Sequence, residues 1–389
     1  MSALGPFSID MYLPSFSAIA KDLDTDIAKV SLTLTSYFIG ISVGQLIYGP
    51  IIDRYGRIKP LLIGLLIFVI ASIGCALSPD IYSLVLLRLF LALGGCVGMV
   101  ASRAIIRDRF DDDDIPKAYS SLILVMGVAP IIAPTIGGYI SLNLGWQYIF
   151  YVLAFIGLLL ILVVKLFLKE SKTKDLEVSL NFKKVSISYY KVLTHKEFLL
   201  NGIAGSLIMA GMFAYIAGSP FVFMELFDLD ESMYGWMFGI NAVGFIGGSQ
   251  LNRLLLIKFK SPGLTYYISM FSMILSLITL LILFAFDLPL LLIQIFLFTF
   301  MLLSGILSPN TSAMAVMPFV KNAGVASALI GSLRMASGGI ASLIISIFHD
   351  GSYFPMMILI ILCSTSAFLI LAKKRFGKRK KKIGLQGAI

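Results

Sequence analysis

The sequence predicts an all-α polytopic membrane protein, with twelve transmembrane helices in two six-helix bundles. The first observation is composition: the chain of 389 residues is 58% hydrophobic and 13% charged, with a mean hydropathy of +0.95. Soluble domains carry about 25% charged residues. The second is a series of apolar runs of about 17–25 residues, the length that crosses about 30 Å of hydrocarbon. The third is one long polar interruption near the middle. Together they exclude a soluble or disordered chain.

The twelve apolar runs predict the spans in chain order. Their bounds are 3–20, 31–51, 60–78, 81–103, 118–140, 146–168, 198–220, 232–254, 263–285, 289–309, 324–347 and 353–372. An even number of spans places both termini on the same side of the membrane.

The lysine-rich segment 169–197 separates an N-terminal bundle, 1–168, from a C-terminal bundle, 198–372, which a basic tail, 373–389, follows. A faint repeat of glycine, glutamine and arginine at the ends of spans two and eight supports two related halves. Related halves around a central site are the build of many secondary transporters.

The distribution of basic residues predicts the orientation. All but four of the 31 Lys and Arg residues lie in the loops after even-numbered spans, with their flanking helix ends, or in the tail; the exceptions are Lys21, Lys29, Arg88 and Arg334. Because loops rich in Lys and Arg stay in the cytoplasm, we expect these loops and both termini to be cytoplasmic. The net charge of +10 then reflects topology and contact with lipid headgroups, not nucleic-acid binding.

Several classes of chemistry find no support in the sequence. There is no Gly-x-x-x-x-Gly-Lys-Ser/Thr loop for a nucleotide, and the three cysteines and two histidines lack metal-ligand spacing. We therefore expect no cofactor, no metal and no enzymatic activity, and a driving force that comes from an ion or solute gradient.

Asp10 is the candidate for proton coupling because it is the one carboxylate clearly inside a span. Burial of a carboxyl group favours its neutral form, and such residues in membranes often mark proton pathways. Pro14 removes the amide that would bond the Asp10 carbonyl, which predicts a kink in the first helix. The alternative is a carboxylate that only bonds a neighbouring helix.

The run Gly49-Pro50-Ile51-Ile52-Asp53-Arg54-Tyr55-Gly56-Arg57 lies between spans two and three. Its glycines predict a tight turn, and Asp53, Arg54 and Arg57 can form a charge cluster at the membrane surface. Such a cluster can hold helices together in one state and release them in another; the alternative is a turn with topology anchors.

This run resembles the signature loop of the major facilitator superfamily, Gly-x-x-x-Asp-Arg-x-Gly-Arg. The stretches 4–14 (LGPFSIDMYLP), 127–138 (GVAPIIAPTIGG) and 218–222 (GSPFV) resemble motifs of its Bcr/CflA (bicyclomycin-resistance) drug/proton antiporters. The resemblance covers essentially the whole chain. It implies the major facilitator fold. Relatives usually carry several further apolar residues before the first motif, so either the start is mis-assigned or the first helix is short, and we expect an incomplete N-terminus.

The resemblance also assigns roles to single residues. It implies that Asp10 handles protons or substrate, that Arg88 in span four assists proton transfer, and that Asp108 joins the Asp53–Arg57 cluster as a cytoplasmic gate. Arg88 could instead be a structural ion-pair partner. Arg334 stands where relatives commonly carry an uncharged polar residue, so it is expected to contact substrate or to pair with a carboxylate.

The fifth span carries small and helix-bending residues on one face. Its members, Gly127, Pro130, Pro134, Gly137 and Gly138, fall within an arc of about 100° on a helix. This stripe suits close packing and bending, and the resemblance identifies it as an antiporter motif.

The leading hypothesis is proton-coupled efflux of small amphipathic compounds, drugs or metabolites, by alternating access. The alternatives are a proton-linked symporter that imports a nutrient and a non-transporting resistance factor that retains the fold. We expect a monomer in the bacterial plasma membrane whose partners are its small-molecule substrate, protons and lipid. The acidic run 111–114 is expected to be a solvated loop.

Overall fold

The computed structural model describes residues 1–110, 115–171, 182–259, 261–285, 289–319 and 323–386. The acidic run 111–114 therefore lies outside the described residues, and so does part of the predicted linker.

The described residues form fourteen helices at the positions of the twelve predicted spans, the linker and the tail. The helices of the first half are α1 Leu4–Asp10, α2 Phe16–Asp22, α3 Ile27–Tyr55, α4 Ile58–Ala76, α5 Ile81–Arg109, α6 Ile115–Leu144 and α7 Gln147–Phe167. The linker helix is α8 Phe182–Leu193. The helices of the second half are α9 Lys196–Pro220, α10 Glu231–Lys258, α11 Ser261–Ala285, α12 Leu290–Val316, α13 Ala323–Ile347 and α14 Phe354–Gln386.

The all-α prediction is confirmed, and nine helices in the described part of the chain are long and apolar enough to cross a membrane. The first span is broken: α1 ends at Asp10, a 3-10 turn covers Leu13–Ser15, and α2 follows. Pro14 has no backbone N–H to donate to the Asp10 carbonyl, which accounts for this break.

Three aspartates begin long helices on one face of the bundle. Asp26, Asp80 and Asp230 each accept a hydrogen bond from a backbone N–H in the first turn of α3, α5 and α10. These bonds satisfy N–H groups that a helix start otherwise leaves without partners. The other face carries the α3–α4 turn and α8, and it is called the basic face below.

Each half packs mainly on itself, and two seams join the halves. In the first half α5 packs between α3 and α4, and in the second half α12 packs against α9 and α10. Between the halves, α3 packs along α13 and α6 packs against α10. A site between the halves is therefore flanked by these two seams.

Candidate functional site

A cluster of charges links three helices at the basic face. Arg57 is only 1% exposed; its Nη1 donates to Asp53 at 2.8 Å and to the Ile52 carbonyl at 2.9 Å. Its Nε donates to Asp108 at the end of α5, at 2.7 Å. Burial opposes the charge of Arg57, but its hydrogen bonds and ion pairs with Asp108 and Asp53 outweigh that cost and raise the pKa of the guanidinium. The structure thus brings together Asp53, Arg57 and Asp108, three of the four charged residues that sequence analysis assigned to this cluster.

The turn in this run contains fewer residues than the sequence predicts. Gly49 lies inside α3, which continues to Tyr55, so the prediction that Gly49 shapes the turn is wrong. The chain turns at Gly56, whose φ of +87° is a conformation that residues with a Cβ rarely adopt. The Arg54 guanidinium lies 5.8 Å from the ring centre of Tyr55, and the ion pairs described for Arg57 are those with Asp53 and Asp108.

Glu170 belongs to this cluster, and sequence analysis missed it. Its carboxylate accepts hydrogen bonds from the backbone N–H of Arg57 at 2.7 Å and of Ile58 at 3.1 Å. It therefore caps the start of α4 from the end of α7. The sequence did offer one indication that a partner was needed. Arg57 occupies the N-cap position of α4 but supplies no capping side chain, so another residue has to accept hydrogen bonds from the first N–H groups of this helix.

Arg88 lies inside the first half and is fully buried. Its guanidinium stacks 4.5 Å from the ring centre of Tyr12 and 4.4 Å from that of Tyr37, and Phe150 lies 5.9 Å away. Nη1 donates to the Ser8 carbonyl at 2.7 Å, while Nε and Nη2 have no hydrogen-bond partner among the described residues. Aromatic faces attract a cation, so this environment holds Arg88 without an ion pair in the described part of the chain.

Asp10 is 4% exposed and ends α1 directly before the break in the first span. Three tyrosines are close enough to interact electrostatically with its carboxylate: Tyr37 on α3, Tyr215 on α9 and Tyr234 on α10. The first belongs to one half and the other two to the other half. Within the described ranges no basic side chain forms an ion pair with Asp10.

The fifth-span motif lies on α6, and its last two glycines face different neighbours. A Cβ on Gly137 would lie 2.0 Å from the carbonyl oxygen of Met11, at the break of the first span. A Cβ on Gly138 would lie 3.1 Å from the carbonyl oxygen of Glu231, at the start of α10 in the other half. The other members, Gly127, Pro130 and Pro134, lie within the same helix.

Arg334 lies away from Asp10 and Arg88, on α13. Its Nη2 donates to the Ser308 carbonyl at 2.8 Å and to the Thr311 hydroxyl at 3.2 Å, both on α12. Its Nε is buried and has no partner in the described part of the chain. The three residues proposed for protons and substrate are thus divided between the halves.

Sequence analysis also missed a row of serines that joins α3 to α13. Ser42 and Ser332 lie with their hydroxyl oxygens 2.9 Å apart, and the Ser342 hydroxyl donates to the Ser31 carbonyl at 3.0 Å. Ser31 and Ser42 are eleven residues apart, about three helical turns, and share a face. That spacing was the available signal.

Comparisons with known proteins agree with this architecture. The sequence model of the Major Facilitator Superfamily matches residues 1–342. The chain is 35% identical to the uncharacterized MFS-type transporter YdgK of Bacillus subtilis, over 97% of this chain and 95% of that protein. It is 30% identical to the bicyclomycin resistance protein homolog of Haemophilus influenzae, over 97% and 96% of the two chains. The fold resembles that of a bacterial homologue of the human lysosomal transporter Spinster, with a TM-score of 0.71, 14% identity and coverage of 96% and 94%.

Proposed function

The chain belongs to the Major Facilitator Superfamily of transporters, and we propose that it exports small amphipathic compounds, drugs or metabolites, in exchange for protons. The proposed site of proton coupling is Asp10, and the proposed mechanism is alternating access between the two halves. We also propose that the basic face is cytoplasmic and that both termini lie on the cytoplasmic side of a bacterial plasma membrane.

The observation that carries this proposal is the position of Asp10. Asp10 is a buried carboxylate at a break in a helix, and it acts electrostatically on tyrosines of both halves, so its protonation can respond to movement of one half against the other. Ionisable residues inside membranes are costly and often mark proton relays. A proton that binds from one side and leaves to the other can drive a solute in the opposite direction.

The Arg57 cluster supports a second element of the proposal, a latch on the cytoplasmic side. Asp53 and Asp108 bind the same guanidinium from α3 and α5. Their ion pairs hold two helices of the first half and the start of α4 in one arrangement. A rearrangement of these helices would have to break at least one short charged hydrogen bond, which separates the two states energetically.

The test uses inverted membrane vesicles with an imposed pH gradient. Addition of an amphipathic dye should dissipate the gradient when the parent protein is present, and Asp10→Asn should abolish this response at an unchanged protein level. The matched control is Asp24→Asn, which removes an exposed carboxylate shortly after α2, in the same predicted span region, and it should behave as the parent does.

Any of three results would count against the proposal. Coupling that persists in Asp10→Asn would move proton binding to another group. Substrate movement in the same direction as protons would indicate a symporter, and no movement of any compound in a broad panel would favour a non-transporting role.

A further inference from the structure

Arg57 and Arg88 are buried and Arg334 is half-buried, and the three differ in what balances their charge. Arg57 forms ion pairs with two carboxylates. Arg88 is enclosed by three aromatic rings and fully buried, so no ligand can reach its guanidinium in this arrangement. Among the described residues Arg334 has neither an ion pair nor an aromatic ring over its guanidinium, and it is the one of the three whose described surroundings do not compensate the positive charge.

The hydrogen bonds of Arg334 use one nitrogen of the guanidinium. Nη2 donates to a backbone carbonyl and to a hydroxyl of α12, which are neutral acceptors. Among the residues that the structure describes, Nε has no acceptor although it is buried, and no bond from Nη1 is formed. A buried charged donor without an acceptor is costly, so the site is incomplete as it stands.

A second cation acts on this site from the other half. Arg103, on α5, is the charged side chain whose field reaches Arg334, and it repels the guanidinium. No carboxylate in the described ranges forms a salt bridge with Arg334. Arg334 therefore lies within the electrostatic reach of a residue of the other half, on a helix, α13, that packs along α3 of that half.

We propose that Arg334 binds the anionic group of the transported compound, a carboxylate or a similar oxyanion, so that this transporter prefers amphipathic anions to cations. A guanidinium is suited to this task because its planar N–H donors match the two oxygens of a carboxylate. This inference rests on the proposed function, since it names the substrate class of the same pathway. Residues of both halves contribute to the site, as alternating access requires.

Two dyes that differ by one methyl ester, and therefore by one unit of charge, test the proposal. Rhodamine 110 carries a free carboxylate, and rhodamine 123 is its methyl ester. Their binding to the purified full chain in detergent is measured by fluorescence polarisation. We expect the parent to bind the acid about tenfold more tightly than the ester, and Arg334→Gln to abolish that difference by weakening only the acid.

Two further variants separate charge at this site from charge elsewhere. Arg334→Lys keeps the positive charge and should retain part of the preference. Lys258→Gln removes a positive charge from the end of α10 and should leave both dyes unaffected. If Arg334→Gln does not fold, a competition experiment on the parent protein tests the proposal instead. Benzoate should displace the acid dye, and benzamide, the neutral analogue of benzoate, should not.

The proposal is overturned if the parent binds neither dye saturably, binds the ester as tightly as the acid, or keeps its preference in Arg334→Gln. Displacement by benzoate and benzamide alike would overturn it too. Because dye binding needs no pH gradient, the two hypotheses fail separately. Acid preference without proton-coupled efflux would refute the proposed function alone, and proton-coupled efflux without acid preference would refute the anion site alone.

Discussion

Glu170→Ala is expected to loosen the start of α4 and its attachment to the end of α7. The substitution removes two hydrogen bonds, from the backbone N–H of Arg57 at 2.7 Å and of Ile58 at 3.1 Å. A hydrogen bond to a charged group contributes about 1.5–3 kcal/mol, but Glu170 is exposed and water screens it. Replacing a capping side chain by alanine costs about 0.5–2 kcal/mol. We therefore expect a local loss of about 1–2 kcal/mol.

The direct measurement is amide hydrogen exchange of the segment that contains Arg57 and Ile58. If these amides exchange by local opening, a loss of about 1–2 kcal/mol accelerates their exchange by about 5–30-fold. Glu170→Gln keeps one acceptor oxygen and the helix-capping geometry but loses the charge, so its exchange should fall between those of the parent and Glu170→Ala.

The matched control is Lys169→Gln, which removes a charge from the neighbouring residue and should leave exchange in this segment unchanged. Exchange in Glu170→Ala that equals the parent's would refute the reasoning, because it would mean that the carboxylate does not cap α4. Equal acceleration in the control would attribute the effect to loss of charge near the membrane surface and not to the hydrogen bonds.

Three other perturbations follow from close contacts. Gly137→Ala should destabilise the chain by about 1–3 kcal/mol in thermal unfolding, because its Cβ would lie 2.0 Å from a backbone oxygen; Gly49→Ala, with nothing within 4 Å, is the control, and equal melting temperatures would contradict the contact. Cysteines at Ser42 and Ser332, whose hydroxyl oxygens are 2.9 Å apart, should cross-link on oxidation and stop efflux until reductant is added; efflux by cross-linked protein would show that this seam need not open. Arg57→Gln should cost about 2–4 kcal/mol in denaturant unfolding, since it leaves two carboxylates without their cation; a loss below about 1 kcal/mol would contradict that pairing.

The positions of the helices were predictable because lipid selects long apolar runs whatever their neighbours are. The break in the first span was predictable for a similar reason, since the missing amide of Pro14 acts on its own helix. Asp53 and Arg57 are four residues apart, so their contact is also local. In each case the cause lies within a few residues of the effect.

Contacts between distant segments were predictable only where a resemblance supplied the partner. Asp108 was assigned to Arg57 in this way, whereas Glu170, 113 residues after Arg57, was not. The serine row between α3 and α13 was missed because serine in an apolar helix is also compatible with simple small-residue packing. For Gly49, the expectation that glycine marks a turn gave the wrong result, because the helix continues through it.

Two glycines of α6, Gly137 and Gly138, connect the surroundings of Asp10, the proposed proton site, to the boundary between the halves. Gly137 packs on the carbonyl of Met11, the residue after Asp10, and leaves no room for a methyl group. Gly138, the next residue of the same helix, packs on the carbonyl of Glu231 in the other half. Close-packed interiors transmit displacements because they contain few voids. A change in backbone conformation at the break that moves Met11 must therefore move α6, and with it the contact with α10. If Asp10 takes up protons as proposed, this arrangement gives its protonation a short mechanical route to the seam that the proposed alternating access has to open.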